Sequence, residues 1–116
     1  MGEVCKIMSQ EEWDTSLAVG KTYVAVSEAD LRDGYIHCSS SDQVAGTLDK
    51  WYQDYERVIV VKVDPARLTS EVKWEPNAVG VPFPHIYGPI VPEAVAGAVA
   101  FERNSSDRLQ PAGEEV

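Results

Sequence analysis

Arg57-Val58-Ile59-Val60-Val61-Lys62-Val63 is the longest β-branched run in the chain, and its reading decides the fold. Branched side chains are stiff and suit a pleated surface better than a helix. The run has strand length, and Asp64-Pro65 ends it. Apolar residues at nearly every position predict a central strand covered on both faces.

Weaker signals surround it. Downstream, Val72-Lys73-Trp74-Glu75 reads as a strand, and residues 76–84, with three prolines and a glycine, read as a loop. His85-Ile86-Tyr87 is a short strand closed by Gly88-Pro89. Pro92-Glu93-Ala94-Val95 makes a helical turn, and residues 96–102 make the last strand.

Upstream, Ser40 with Gln43 forms a capping box. It opens a helix to about residue 55 with a stripe of Val44, Leu48, Trp51, Tyr52 and Tyr55. Tyr35 to Ser39 alternates as a strand does: Tyr35, His37 and Ser39 share one face, Ile36 and Cys38 the other. Ser27 caps one or two helical turns that end at Asp33-Gly34, and residues 22–25 read as a short strand. Ser9 with Glu12 caps a helix over residues 9–19, and Val4-Cys5-Lys6-Ile7 is a first strand. The fold class expected is a single α+β domain over residues 1–103, with small, mostly antiparallel sheets and two to three helices. Residues 104–116 are polar, carry Pro111 and Gly113, and predict a flexible tail.

Composition narrows the function. With 116 residues the chain has room for one core. A net charge of −9 repels phosphate backbones, so nucleic acid is not expected as a general partner. No apolar run spans a bilayer, and the start shows no basic region leading into an apolar stretch. A cytoplasmic location is expected, with Cys5 and Cys38 as buried thiols and no disulfide. Gly20-Lys21-Thr22 resembles the end of a phosphate-binding loop, but Thr15 stands where that motif needs glycine, and a helix precedes it. No Cys-x-x-Cys or His-x-x-x-His spacing suggests a metal site. No Gly-x-Ser-x-Gly elbow suggests a serine hydrolase.

The chain has only two histidines, each in a short strand beside tyrosine. Imidazole donates or accepts a proton near neutral pH, so Tyr35, His37 and Ser39 opposite His85 and Tyr87 could orient a ligand and move a proton. The competing reading is a buried network in which the histidines satisfy each other or the backbone. Glu75, at a strand end, is the best-placed carboxylate for a site, and could equally pair with Arg67 or Lys73. Trp13, Trp51, Trp74 and Tyr52 read as core anchors.

Glu12-Trp13, Asp33-Gly34-Tyr35-Ile36-His37-Cys38-Ser39 with Gln43-Val44, Arg67-Leu68, Trp74-Glu75 and Phe83-Pro84-His85-Ile86-Tyr87-Gly88-Pro89 occur in that order. Over residues 4–102 the chain thereby resembles the bacterial family called domain of unknown function 952. That resemblance implies an ADP-ribosyltransferase-like fold, with two sheets around a cleft. The strand from Gly34 into the helix at Gln43 would line the nicotinamide end of an NAD site. It implies His37 and His85 as catalytic residues, and Tyr35, Ser39, Gln43, Glu75 and Tyr87 as ligand-binding residues. It also implies a small-molecule or nucleotide ligand, with NAD as a possible cofactor. The chain departs from transferases of that fold in offering Lys6 on the first strand and no acid in the last block. A non-catalytic binding or regulatory module is therefore the alternative.

Overall fold

A computed structural model describes residues 3–20, 22–23 and 27–116. In chain order the elements are β1 (Val4–Met8), α1 (Gln10–Ala18), α2 (Glu28–Asp33), β2 (Ile36–His37), β3 (Ser39–Ser40), α3 (Val44–Trp51), β4 (Arg57–Val63), β5 (Val72–Pro76), β6 (Pro82–Ile86), β7 (Val95–Arg103) and β8 (Leu109–Glu115). Short 3-10 turns at Pro65–Arg67 and Pro92–Ala94 complete the path. The strands form two antiparallel sheets. One has five strands in the order β3-β1-β4-β7-β8, the other three in the order β2-β6-β5. This is the small α+β domain expected.

β4 is the central strand that its composition predicts, paired with β1 on one side and β7 on the other. Its alternate residues feed two cores. Ile59, Val61 and Val63 join Val4, Met8, Ile36 and Ile86 between the sheets. Val58 and Val60 join Cys5, Ile7, Val44 and Leu48 under α3. α1 begins with the full capping box: the Ser9 hydroxyl accepts from Glu12 N, and the Glu12 carboxylate accepts from Ser9 N. α2 ends on Gly34 at φ 82°, a left-handed position that a glycine adopts without a Cβ clash.

Four expectations need correction. The C-terminal segment is not a frayed tail from residue 104. Asn104 Oδ1 accepts from Ser106 N and Arg108 N, and Asp107 takes φ 62°. The chain thus turns back and adds β8 along β7. β8 pairs on one side only, and from Gln110 to Gly113 its residues are exposed, so it shows no apolar period. Residues 82–84 are not loop but the start of β6. Pro84 cannot donate to a ladder, yet its carbonyl accepts from Cys38 N at 3.1 Å, so the pair loses one bond and not the strand. α3 is shorter than expected at both ends: it stops at Trp51, with Tyr52 as its C-cap, and it starts only at Val44, because Ser40 and Gln43 form half a capping box. Gln43 Oε1 accepts from Ser40 N, but the Ser40 hydroxyl turns to Asp42. Trp51 is no core anchor: it is 69% exposed at the last turn of α3, whose buried residues are Val44 and Leu48. The short strand expected over residues 22–25 falls partly outside the described residues, while Tyr23 makes an isolated bridge with Ile90. Among the described residues no helix is long and apolar enough to cross a membrane.

Candidate functional site: two histidines beside one cleft

The three-stranded sheet is two-faced. Ile36, Cys38, Pro84 and Ile86 turn into the core. The alternate residues of β2 and β6 form a cluster of rings on the other face. His37 and His85 are register partners, with ring centroids 5.5 Å apart. Tyr35 stacks on His85 at 4.1 Å and lies 5.2 Å from Tyr87. The ladder that alternation predicts from sequence is present for Tyr35, His37, His85 and Tyr87, whereas Ser39 lies in β3 of the other sheet with its hydroxyl 3.1 Å from Thr47 Oγ1.

The two imidazoles differ in what holds them. His37 Nδ1 lies 2.7 Å from Asp30 Oδ1, and Nε2 lies 2.9 Å from Asp33 Oδ2, so both nitrogens face a carboxylate. Asp30 is itself buried and saturated. Its Oδ2 accepts from Lys6 Nζ at 2.9 Å and from the Tyr23 hydroxyl at 3.3 Å, and its Oδ1 also accepts from His37 N at 3.0 Å. Burial opposes the charge on Asp30, but hydrogen bonds from His37 and the Lys6 charge outweigh it and hold the carboxyl far below the usual range. Lys6 Nζ also donates to His37 O, so β1, α2 and β2 meet at one buried ion pair.

His85 is tied at one end only. Its Nδ1 lies 2.7 Å from Glu75 Oε1, and the Tyr87 hydroxyl donates to the same oxygen at 2.6 Å. These two bonds, Tyr87's first, hold the Glu75 carboxyl below its usual range. The bond to Glu75, followed by burial and the Glu75 charge, raises the Tyr87 phenol to about 12. Among the described residues His85 Nε2 makes no hydrogen bond, and Glu75 Oε2 has no partner. The ambiguity over Glu75 resolves toward His85: Arg67 reaches Asp64, and Lys73 lies over the Tyr87 ring.

A cleft of about 590 Å³ opens beside this face. His37, Ser39, Glu75 and His85 line it together, as the sequence reading expects. Tyr35 and Tyr87 are on the same sheet face, packed around His85, and are not in the cleft wall. Gln43 is not brought to the cleft either. Its amide is used at both ends, accepting from Ser40 N and donating to Pro82 O at 2.8 Å, which ties β3 to β6. The far wall carries Thr47, Lys50, Trp51, Tyr52 and Tyr55 from α3 and the turn after it. Burial raises the Cys38 thiol to about 12, so it is no nucleophile at neutral pH.

Sequence reasoning missed Asp30 and the aromatic wall. A signal for Asp30 existed: Lys6, in a strand otherwise apolar, needs a buried counter-charge. Its partner is not legible, because Asp30 lies 24 residues away and looks like an ordinary helix-start acid.

Two sheets flanking a cleft, with a histidine–carboxylate pair inside it, define a class of small α+β domain with a built polar site. The chain belongs to the family described as protein of unknown function (DUF952), which it matches over residues 7–98. It is similar to protein CC0527 from Caulobacter crescentus in a crystal structure, at 30% identity and TM-score 0.82, with 93% of each chain covered. The solution NMR structure of the same protein gives 31% identity and TM-score 0.80, covering 95% of this chain and 93% of that one. No curated protein matches.

Proposed function

We propose that the cleft binds NAD or a related nucleotide or metabolite, and that His85 exchanges a proton with it in transferase- or hydrolase-like chemistry. One observation carries the reading: a half-free imidazole, a half-free carboxylate and an aromatic wall converge on one cleft. Its volume, about 590 Å³, is within the range of small-molecule sites. Trp51, Tyr55 and Phe83 supply flat surfaces for a ring, and Lys50 supplies a cation for a phosphate, while the Ser39 and Thr47 hydroxyls are bonded to each other. The resemblance to the ADP-ribosyltransferase fold supports the same ligand class, since the strand after Gly34 leads through Ser39 and Ser40 into α3 beside the cleft. Glu75, reaching His85 from β5, supplies the acid that the last block lacks. Lys6 is not available to a phosphate, because Asp30 holds it.

A non-catalytic binding module uses the same cleft without the proton transfer. It is favoured by the saturation of His37, which leaves one histidine open where a two-histidine mechanism needs two. Binding of NAD, ADP-ribose and nicotinamide, followed by tryptophan fluorescence and calorimetry, tests the common claim. Saturable binding that His85→Ala weakens supports it. No binding up to millimolar ligand overturns it. Glycosidic cleavage by the wild type but not by His85→Ala separates the enzyme from the module.

A further inference from the structure

We infer that Glu75 is a positioning residue that fixes the proton of His85 on Nδ1 and leaves Nε2, which has no partner among the described residues, as an acceptor in a ring that lines the cleft. The group a ligand brings to His85 is then a proton donor: a hydroxyl, an amide N–H or a bound water. This rests on the reading of the cleft as a binding site and narrows what that site takes.

The argument is an inventory of donors and acceptors. An ionised carboxylate accepts and cannot donate. Glu75 is held in that form by the two bonds to Oε1. The 2.7 Å contact with His85 Nδ1 therefore requires the hydrogen on Nδ1. A neutral imidazole carries one N–H, so Nε2 is left as an acceptor. Tyr87 strengthens the arrangement from the other side. Its hydroxyl donates to the oxygen that receives Nδ1–H, which fixes the carboxylate on a short strand, where β5 and β6 are already in register. Tyr35, stacked at 4.1 Å, restrains the ring plane. Three groups thus orient one imidazole, and a side chain with a purely structural task has no need of a free lone pair. A proton taken up at Nε2 gives an imidazolium that Glu75 stabilises through the same Nδ1–H bond. A ligand that presents only acceptors to Nε2, such as a ketone oxygen or a phosphate dianion, meets lone-pair repulsion with the neutral ring.

The test reads the tautomer directly, in the ligand-free protein. Long-range proton–nitrogen correlation on nitrogen-15-labelled protein at mildly alkaline pH distinguishes a protonated from an unprotonated ring nitrogen. The expected result is a single His85 form with hydrogen on Nδ1. Glu75→Ala should shift His85 toward hydrogen on Nε2, the form imidazole side chains favour in water. Tyr87→Phe, which removes a bond to Glu75 and none to His85, should keep the wild-type form. Hydrogen on Nε2 in the wild type overturns the inference even if Glu75→Ala fails to fold. An unchanged tautomer in folded Glu75→Ala overturns Glu75 as the cause. Because no ligand is added, this test can fail while the cleft still binds NAD, and can succeed where it does not.

Discussion

His37 and His85 stand opposite each other on one antiparallel ladder, yet their surroundings have little in common. His37 is the more exposed, with 36% of its side chain open against 11% for His85. Exposure alone would make His37 the functional residue. Hydrogen bonding reverses the order: both His37 nitrogens face carboxylates, and His85 keeps one nitrogen free. Availability of a lone pair or proton, not solvent contact, decides what a titratable side chain can do for a ligand.

The comparison breaks most sharply at Asp30. Asp30→Ala removes the counter-charge of buried Lys6 and the acceptor of His37, and should lower stability by about 3–5 kcal/mol, the usual loss when one partner of a buried ion pair is deleted. Urea denaturation would show it as a lower midpoint, and a loss under about 1 kcal/mol would mean that Asp30 does not organise this side. The same carboxylate predicts the effect of acid. Its folded pKa is depressed, so the unfolded chain takes up a proton in the ordinary carboxylate range while the folded one does not. The stability Asp30 contributes is present above about pH 5 and is lost as pH falls through that range toward the folded value. Asp30→Asn should flatten the fall in urea midpoint on acidification; an equally steep fall would assign it to other carboxylates.

Deleting β8 should cost less than losing Asp30. Truncation after Arg103 uncovers one edge of β7 and removes Leu109 from the core under α3. A drop of several degrees in Tm is expected, and an unchanged Tm would restore the flexible tail that the composition suggests. On the cleft wall formed by α3, Trp51→Ala should change stability by no more than about 0.5 kcal/mol, as for other exposed positions. It should still weaken ligand binding. Equal affinity in that variant would remove the aromatic wall from the account.

Much of the architecture is legible in the chain. β4 shows itself because both faces are buried and its run is unbroken. α1 shows itself because Ser9 and Glu12 are three residues apart, the spacing a capping box needs. The alternation from Tyr35 to Ser39 correctly separates Ile36 and Cys38 from the ring face. β8 is hidden because its exposed residues from Gln110 to Gly113 show no apolar period. The start of β6 is hidden because proline normally argues against a strand between two neighbours. At the site, the sequence selects His37, His85, Ser39 and Glu75, all of which line the cleft. It cannot rank the histidines, since their difference lies in Asp30, Asp33 and Glu75, which reach them from α2 and β5. The resemblance assigns Gln43 to a ligand, whereas its amide bonds to Pro82 O, 39 residues away and beyond the reach of any local pattern.

The most direct test of the asymmetry is urea denaturation of His37→Ala and His85→Ala side by side at neutral pH. His37→Ala removes the side-chain donor of the buried Asp30 carboxylate, while the backbone N–H of residue 37 stays bonded to it, and should lose about 1.5–3 kcal/mol. His85→Ala frees Glu75, which is 37% exposed and can be rehydrated, and should lose about 1 kcal/mol or less. That order, His37 above His85, is what the account predicts. Equal losses, or a larger loss for His85, would contradict it and make His85 the structural member of the pair.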